Sequence, residues 1–191
     1  MQALVEAGLP VSAVISNRAD AGGLDYARAK GIATAVVEHR AFAERGAFEA
    51  ALEREIGRFN PRLLALAGFM RVLSGAFVER YRQRMLNIHP SLLPAFAGLD
   101  THARALAAGV KLHGCTVHFV TPELDSGPIV IQAVLAVRAE ERPEQLAARV
   151  LRQEHVIYPR AARWFLEDRL VIRDGVVRVK GNDAQLVMAA D

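Results

Sequence analysis

An amide and an imidazole stand two residues apart at Asn87 and His89, where a short apolar run suited to a buried strand comes to an end. On an extended backbone these two side chains point the same way, and Pro90 and Pro94 stop the chain from continuing as helix or sheet. An amide donor beside a titratable imidazole can stabilise an oxyanion and move a proton. On this spacing alone, a proline-rich turn with a hydrogen-bonded histidine is the commoner interpretation.

Asp125 is a third candidate, in the polar segment 121–128 that follows a predicted strand. If Asn87, His89 and Asp125 converge, the amide would donate to a carbonyl oxygen that becomes negative. The imidazolium would stabilise the same charge or supply a proton, and the carboxylate would favour that cation or order a water. Such a set suits acyl transfer without a covalent nucleophile. The alternative for Asp125 is an ordinary turn aspartate before Ser-Gly.

The remaining nucleophiles and histidines carry weaker signals. Ser91 directly follows a proline and Cys115 falls at a predicted strand, so neither has the surroundings that activate a nucleophile. A zinc site from His102, His113 and His118 is conceivable, but the spacing matches no metal motif. We therefore expect no metal and interpret His118 as a packed, hydrogen-bonded residue.

Composition bounds the class of protein. The 191 residues are 52% hydrophobic, which suits one globular domain with a sizeable core. Lys and Arg number 24 against 21 Asp and Glu, a net charge of +3 without a basic run, so we expect small anionic substrates and no nucleic acid. No apolar span approaches the roughly 20 residues of a membrane helix, and the lone cysteine fits a reducing cytoplasm. We expect a cytoplasmic protein with no membrane association.

Alternating strand and helix patterns predict an α/β fold: a doubly wound, mostly parallel sheet with helices on both faces, an antiparallel edge strand and a carboxyl-terminal hairpin at Asp174-Gly175. The predicted strands are 11–16, 32–37, 63–67, 85–88, 116–120 and 129–137, and the predicted helices are 24–30, 42–58, 74–82, 101–108 and a long one from Pro143 that Pro159 should kink or break. Ligands bind outside the carboxyl ends of such strands. Segments 68–71, 87–89 and 121–128 should therefore meet at one edge.

Several motifs together resemble the phosphoribosylglycinamide formyltransferases. They are AGFMR at 67–71, NIHPSLLP at 87–94, GLDTH at 98–102, TVHFV at 116–120, LDSGP at 124–128 and QEHVIYP at 153–159. The resemblance implies a Rossmann-like formyltransferase fold. It also implies transfer of a formyl group from the co-substrate 10-formyltetrahydrofolate to the amine of 5-phosphoribosylglycinamide, in de novo purine biosynthesis.

The resemblance also assigns residues. It gives catalytic places to Asn87, His89 and Asp125, with His89 as the proton donor. It implies that the folate contacts Arg45, Met70, Arg71, Val72, Leu73, Asn87, Thr121, Pro122, Glu123, Leu124 and Asp125, and that the ribonucleotide contacts Leu151, Arg152, Gln153 and Glu154. Without the resemblance, Arg45 would be interpreted as a solvated helix charge.

Related activities fit less well. Methionyl-tRNA formyltransferase resembles this catalytic core but carries an added carboxyl-terminal domain, for which 191 residues leave no room. Formyltetrahydrofolate hydrolase has an extra amino-terminal domain and usually a second histidine where this chain has Pro90. A dinucleotide-dependent oxidoreductase is disfavoured because no Gly-x-Gly-x-x-Gly follows a predicted strand.

The amino terminus departs from the resemblance, since residues 1–7 match the middle of the helix that follows the family's first strand and its Gly/Asn/Ser-rich phosphate loop. We expect a single domain over 1–191 without that strand and loop, and a disordered tail at 182–191. The two neighbours of the absent strand would have unpaired backbone groups or be forced together. Either the natural protein is longer and Met1 is one of its internal methionines, which we favour, or the chain is a non-catalytic folate-binding or truncated, inactive homologue.

Overall fold

The computed structural model describes residues 1–189, which form six helices and nine strands. The helices are α1 (Gln2–Glu6), α2 (Gly22–Ala29), α3 (Arg45–Gly57), α4 (Gly75–Arg80), α5 (Thr101–Ala107) and α6 (Pro143–Leu166), with a 3-10 turn at His39–Ala41. The strands are β1 (Ala13–Ser16), β2 (Ala33–Val36), β3 (Leu64–Leu66), β4 (Met85–His89), β5 (Leu112–Phe119), β6 (Ile129–Ala136), β7 (Leu170–Arg173), β8 (Val176–Val179) and β9 (Leu186–Met188).

The α/β prediction is confirmed, with a mixed central sheet in the order β3-β4-β5-β6-β9. β3 runs parallel to β4 and β9 runs parallel to β6, while β5 is antiparallel to both of its neighbours. The expectation that β5 brings its carboxyl end to the same edge as β4 is therefore wrong. The loop that follows β4 remains at the carboxyl end of that strand, because it is hydrogen-bonded to β5 and β6. The Leu93 N–H donates to the Thr116 hydroxyl, and the Gln132 amide donates to the Leu93 carbonyl.

The core lies where α6 packs on the central sheet. Ile157, Ala161 and Trp164 come from one face of α6 and are buried against the apolar side chains of β5 and β6. The Tyr158 hydroxyl lies between the carbonyl oxygens of Leu66 on β3 and Leu86 on β4, at 2.8 and 2.9 Å, and its one O–H is shared between them. Pro159 does not break α6, which continues to Leu166 with the proline buried in its interior.

The carboxyl-terminal part contains one predicted element and one unpredicted strand. The hairpin of β7 and β8 turns at Asp174 and Gly175, both with positive φ, as predicted. β9 pairs with β6, so the expectation of a disordered tail is wrong for 186–188 and β6 is not an edge strand; residues 190 and 191 lie outside the described residues. Three residues are too few to show a periodicity, and the Gln185 amide, bonded to Val130 and Val177 carbonyls, anchors the segment.

The sheet is interrupted between β1 and β3. Within residues 1–189, β1 pairs with β2 alone and β3 pairs with β4 alone. A cavity of about 650 Å³ separates them, lined by Ala13–Ser16 on one side and Leu64–Leu66 on the other. We call this space the strand slot. Side chains of α1, α3, α4 and α6 also line this space, among them Leu4, Leu52, Phe77 and Ala162.

None of the helices within residues 1–189 combines the length and the apolar character that crossing a membrane requires.

Candidate active site

Asn87 and His89 lie on β4 with their side chains on one face, as their spacing predicts. Asn87 is paired across the sheet with His118 of β5, and His89 with Thr116. Only 5% of His89 is exposed. An amide and an imidazole are thus fixed on the rigid centre of the sheet, at the carboxyl end of β4.

Asp125 joins these two residues, so the three predicted catalytic side chains do converge. The Nδ1 atom of His89 lies 3.4 Å from Oδ2 of Asp125, and its Nε2 atom lies 3.1 Å from the Phe96 carbonyl oxygen. Both ring nitrogens therefore face acceptors, which is the environment of a doubly protonated imidazole. The side chains of His89 and Asp125 are 7% and 8% exposed, so water screens the interaction between them little.

Asp125 reaches His89 by a route that the sequence does not reveal. Its backbone adopts a left-handed φ of 51°, and its Oδ2 accepts a hydrogen bond of 2.9 Å from the Gly98 N–H. Gly127 lets the loop after β5 fold back tightly, because a Cβ at this position would lie 1.7 Å from the Phe119 carbonyl oxygen. The carboxylate is therefore positioned by backbone geometry on two loops.

Gly127→Ala tests this positioning. We expect it to destabilise the fold by about 1–3 kcal/mol through overpacking and to lower kcat further, because the displaced loop carries Asp125. Chemical denaturation and initial rates measure the two effects. The matched control is Gly57→Ala in α3, where a Cβ meets nothing within 4 Å and alanine favours the helix. Equal behaviour of the two variants would contradict this role of Gly127.

His118 is a residue of the site that the sequence reasoning missed. Its Nδ1 atom lies 2.9 Å from the Phe119 carbonyl and donates to it, which leaves Nε2 as the acceptor for the Asn87 Nδ2 donor at 3.3 Å. Burial lowers the pKa of His118, and this effect exceeds the opposing influence of the Phe119 carbonyl and of Asp125. A neutral His118 thus fixes the orientation of the Asn87 amide.

The loop after β4 is bonded to the sheet and holds no activated nucleophile. The Thr116 hydroxyl donates to the Ser91 carbonyl, and the Thr101 hydroxyl donates to the Pro90 carbonyl. The Ser91 hydroxyl is fully buried and donates to the Ala95 carbonyl. Burial raises the pKa of the Cys115 thiol, which keeps it protonated. The chemistry of the site is therefore that of Asn87, His89, His118 and Asp125.

The segments predicted to bind folate meet beside this group. The Ser74 N–H donates to the Glu49 carboxylate of α3 at 2.6 Å, which ties segment 70–73 to the helix that Arg45 begins. A Cβ on Gly75 would lie 3.8 Å from Pro122, so the loop 121–125 abuts the start of α4. The side chains differ in access: Met70, Val72 and Leu124 are 75%, 57% and 60% exposed, Arg45, Arg71, Pro122 and Glu123 are also exposed, and Leu73 is buried in the core.

The predicted ribonucleotide segment lies on α6. Leu151 and Arg152 are exposed, whereas Gln153 and Glu154 are half-buried. Burial raises the pKa of Glu154, and the amino group of Met1 opposes that shift. The segment thus lies beside the start of α1, and His155, which the sequence could not orient, is exposed.

His102 and His113 form a second pair of histidines, beside the loop that follows β4. The His102 Nδ1 and His113 Nε2 atoms are 3.2 Å apart, and the Phe96 ring meets the His113 ring edge-on at 6.0 Å. Burial lowers the pKa of both rings, that of His113 to about 4. Across residues 1–189, no group of three or more His, Cys, Asp or Glu is arranged to hold a metal ion.

His113 should make the fold sensitive to acid. Its ordinary pKa of 6.5 falls to about 4 on folding, so between these values the unfolded ring binds a proton that the folded ring does not. The free energy of unfolding is therefore highest above pH 6.5 and decreases as the pH falls, by about 2 kcal/mol between pH 7 and pH 5. Urea unfolding at both pH values, for the native chain and His113→Gln, measures this difference. The control His155→Gln, at an exposed position, should leave the difference in stability between the two pH values unchanged. If His113→Gln also leaves it unchanged, His113 is excluded as its source.

Known proteins are similar to this chain over most of its length. Residues 2–162 match the profile of a family described as formyl transferase. The chain is 48% identical over 171 residues to phosphoribosylglycinamide formyltransferase of Escherichia coli (strain K12), covering 90% of this chain and 81% of the relative. It is 43% identical over 169 residues to the trifunctional purine biosynthetic protein adenosine-3 of Bos taurus, covering 88% of this chain and 16% of that protein.

Solved structures agree with these matches. The phosphoribosylglycinamide formyltransferase of Coxiella burnetii, in complex with CHES, superposes with a TM-score of 0.90 at 46% identity, covering 94% of this chain and 87% of that one. The enzyme of Anaplasma phagocytophilum gives 0.93 at 38% identity, with 99% and 92% coverage. A formyltetrahydrofolate deformylase of Burkholderia mallei gives 0.80 at 33% identity, but only 60% of that chain is covered.

Proposed function

Since the chain belongs to the formyl transferase family, we propose that it transfers a formyl group from 10-formyltetrahydrofolate to the amine of 5-phosphoribosylglycinamide. The Escherichia coli relative and the Coxiella burnetii structure are named phosphoribosylglycinamide formyltransferase, and the Bos taurus relative is named a purine biosynthetic protein. The observation that supports the site most strongly is the buried pairing of His89 with Asp125 beside the oriented amide of Asn87.

The reaction begins when the amine nitrogen attacks the formyl carbon, whose oxygen becomes negative. The Asn87 amide donates one N–H to that oxygen, because its orientation is set by His118, and protonated His89 lies two residues further along the same face. The attacking nitrogen must lose a proton, which passes through a water to the Asp125 carboxylate. The bond from the formyl carbon to the folate nitrogen then breaks, and that nitrogen takes up the proton that His89 supplies.

Burial makes the ion pair effective in this role. Asp125 stabilises the cationic form of His89 in a position shielded from water, where each charge acts strongly on the other. The Gly98 N–H holds the same carboxylate oxygen, so its position is set before substrate binds. Such preorganisation lowers the cost of reaching the transition state.

The folate is proposed to bind along the exposed apolar rim of Met70, Val72 and Leu124. Three large hydrophobic side chains with more than half of their surface exposed suit an aromatic ligand that would cover them. Arg45 is exposed at the start of α3, the helix whose Glu49 accepts a hydrogen bond from the Ser74 N–H, and its cation suits the carboxylates of the ligand. Backbone groups of 70–73 and 121–125 complete the proposed contacts, since Leu73 itself is buried.

The ribonucleotide is proposed to bind along α6 at Leu151, Arg152, Gln153 and Glu154. Arg152 is exposed and offers a fork of donors, while half-buried Glu154 offers an acceptor whose proton affinity is raised by burial. An acceptor of this kind suits the hydroxyl groups of a ribose.

A formyl-transfer assay with both substrates tests the proposal. We expect formylation of phosphoribosylglycinamide with equal release of tetrahydrofolate, and no product when either substrate is omitted. Circular dichroism of the same sample verifies that the chain is folded. A folded chain that binds 10-formyltetrahydrofolate in calorimetry but forms no product would overturn the catalytic assignment.

A further inference from the structure

Gln132 of β6 lies two strands away from His89, yet hydrogen bonds connect the two residues. We propose that Gln132 is a positioning residue for formyl transfer, which acts on the His89 ring through Thr116 and through the segment 90–96 that follows β4. This role presupposes that His89 is the proton donor, whereas the surroundings of the His89 ring can be measured without formyl transfer.

A row of three polar side chains crosses the central sheet on one face. The register pairs His89 of β4 with Thr116 of β5, and Thr116 with Gln132 of β6. Residues directly opposite each other on neighbouring strands have their side chains on the same face of the sheet. Segment 90–96 lies over this row, because it is hydrogen-bonded to both Thr116 and Gln132.

The hydrogen bonds between the row and the segment have defined directions. The Leu93 N–H donates to the Thr116 Oγ1 at 3.1 Å, and the Thr116 hydroxyl donates to the Ser91 carbonyl at 2.7 Å. The Gln132 Nε2 donates to the Leu93 carbonyl and to the Thr116 Oγ1, each at 3.0 Å. A hydroxyl has one proton and two lone pairs, and a side-chain amide has two N–H donors, so all of these are in use. The Gln132 amide therefore holds Leu93 both directly and through Thr116.

Burial makes the position of the segment depend on these bonds. Thr116 and Ser91 are fully buried, Leu93 is also buried, and Gln132 is half-buried. Without the Gln132 donors, the Leu93 carbonyl and one lone pair of Thr116 would have no partner, and an unpaired buried acceptor is unfavourable. Removal of the amide therefore favours a shift of the segment.

The segment transmits the position of Leu93 to the His89 ring. The Ser91 hydroxyl donates to the Ala95 carbonyl at 2.6 Å, which closes a compact turn that contains Leu93. Phe96 directly follows this turn, and its carbonyl oxygen lies 3.1 Å from the His89 Nε2. A displacement of Leu93 therefore moves the acceptor that holds this ring nitrogen.

Gln132→Met tests the role, because methionine has a similar length and offers no N–H donor. We expect kcat to fall about tenfold, since a small misplacement of a reacting group is costly. KM for both substrates should change little, because their proposed contacts lie on 70–73, 121–125 and 151–154. Steady-state kinetics well below the thermal midpoint separates the two parameters.

Gln185→Met is the matched control. The Gln185 amide is also half-buried and also donates to two backbone carbonyls, those of Val130 and Val177, both of which lie outside the segment. This variant should lower the thermal midpoint but leave kcat unchanged. An equal loss of kcat in both variants would overturn the proposal.

The ring of His89 provides a readout that is independent of activity. Nitrogen NMR of the chain with isotope-labelled histidine records the ring nitrogens, and the His89 signals are identified by their loss in His89→Ala. We expect the Nε2 signal to shift in Gln132→Met and to stay in place in Gln185→Met. An unshifted signal in folded Gln132→Met would overturn the proposal, whatever the formyl-transfer assay shows.

If Gln132→Met does not fold, two variants of Thr116 decide. Thr116→Val keeps the shape of the side chain and removes the hydroxyl that joins Gln132 to the segment, whereas Thr116→Ser keeps the hydroxyl. We expect Thr116→Val to lower kcat and shift the His89 signal, and Thr116→Ser to recover most of both. The same kcat and the same His89 signal in the two variants would overturn the proposal.

Discussion

His89→Ala is expected to lower kcat for formyl transfer by about 10²–10⁴, the range that a positioned acid-base group contributes. The variant removes the proton donor and leaves the buried Asp125 carboxylate without its cation. We expect a smaller change in KM for the folate, because the apolar rim of Met70, Val72 and Leu124 is untouched. Steady-state kinetics with both substrates measures the two parameters separately.

Two further variants make this result specific. His155→Ala removes an exposed histidine of α6 and should leave kcat unchanged. Asp125→Asn keeps the shape of the carboxyl group and removes its charge, so it should lower kcat, because His89 loses its charged partner and the attacking amine loses its proton acceptor. An unchanged kcat for Asp125→Asn would contradict the role of the carboxylate beside His89.

Asn87→Ala is expected to lower kcat by about 10²–10³, the typical cost of removing one donor to an oxyanion. The effect belongs to the transition state, since the oxygen becomes negative only there, so KM should change little. A rise in KM alone, with kcat unchanged, would assign Asn87 to ground-state folate binding and not to stabilisation of the oxyanion.

His118→Phe separates orientation from chemistry at the same position. Phenylalanine fills the buried space but offers no acceptor to the Asn87 amide, whose rotation is then free. We expect a loss in kcat smaller than that of Asn87→Ala, and little additional loss when both substitutions are combined, because they remove one shared interaction. Full additivity in the double variant would contradict the orienting role of His118.

The sequence by itself determined the fold class and half of the site. Asn87 and His89 share a face because their separation matches the period of a strand, and this holds whatever the strand packs against. The hairpin at Asp174-Gly175 is likewise a local matter of backbone preference. Buried apolar runs between helices were enough to predict an α/β sheet.

The tertiary structure alone decided how the remaining groups arrive. β5 runs antiparallel to β4, so Asp125 comes to His89 on a loop that folds back, aided by a left-handed φ and the Gly98 N–H, not at the end of a parallel strand. His118 entered the site because the strand register sets it opposite Asn87. Strand direction and register depend on contacts between residues far apart in the chain, which no local periodicity encodes.

The same distinction holds for the edges of the sheet. β9 is a three-residue strand that pairs with β6, and the strand slot separates β1 from β3. A pattern along the chain describes which residues prefer to be buried. Which backbone groups find partners is settled only when distant segments are packed together, because hydrogen bonds between strands are made in space and not along the sequence.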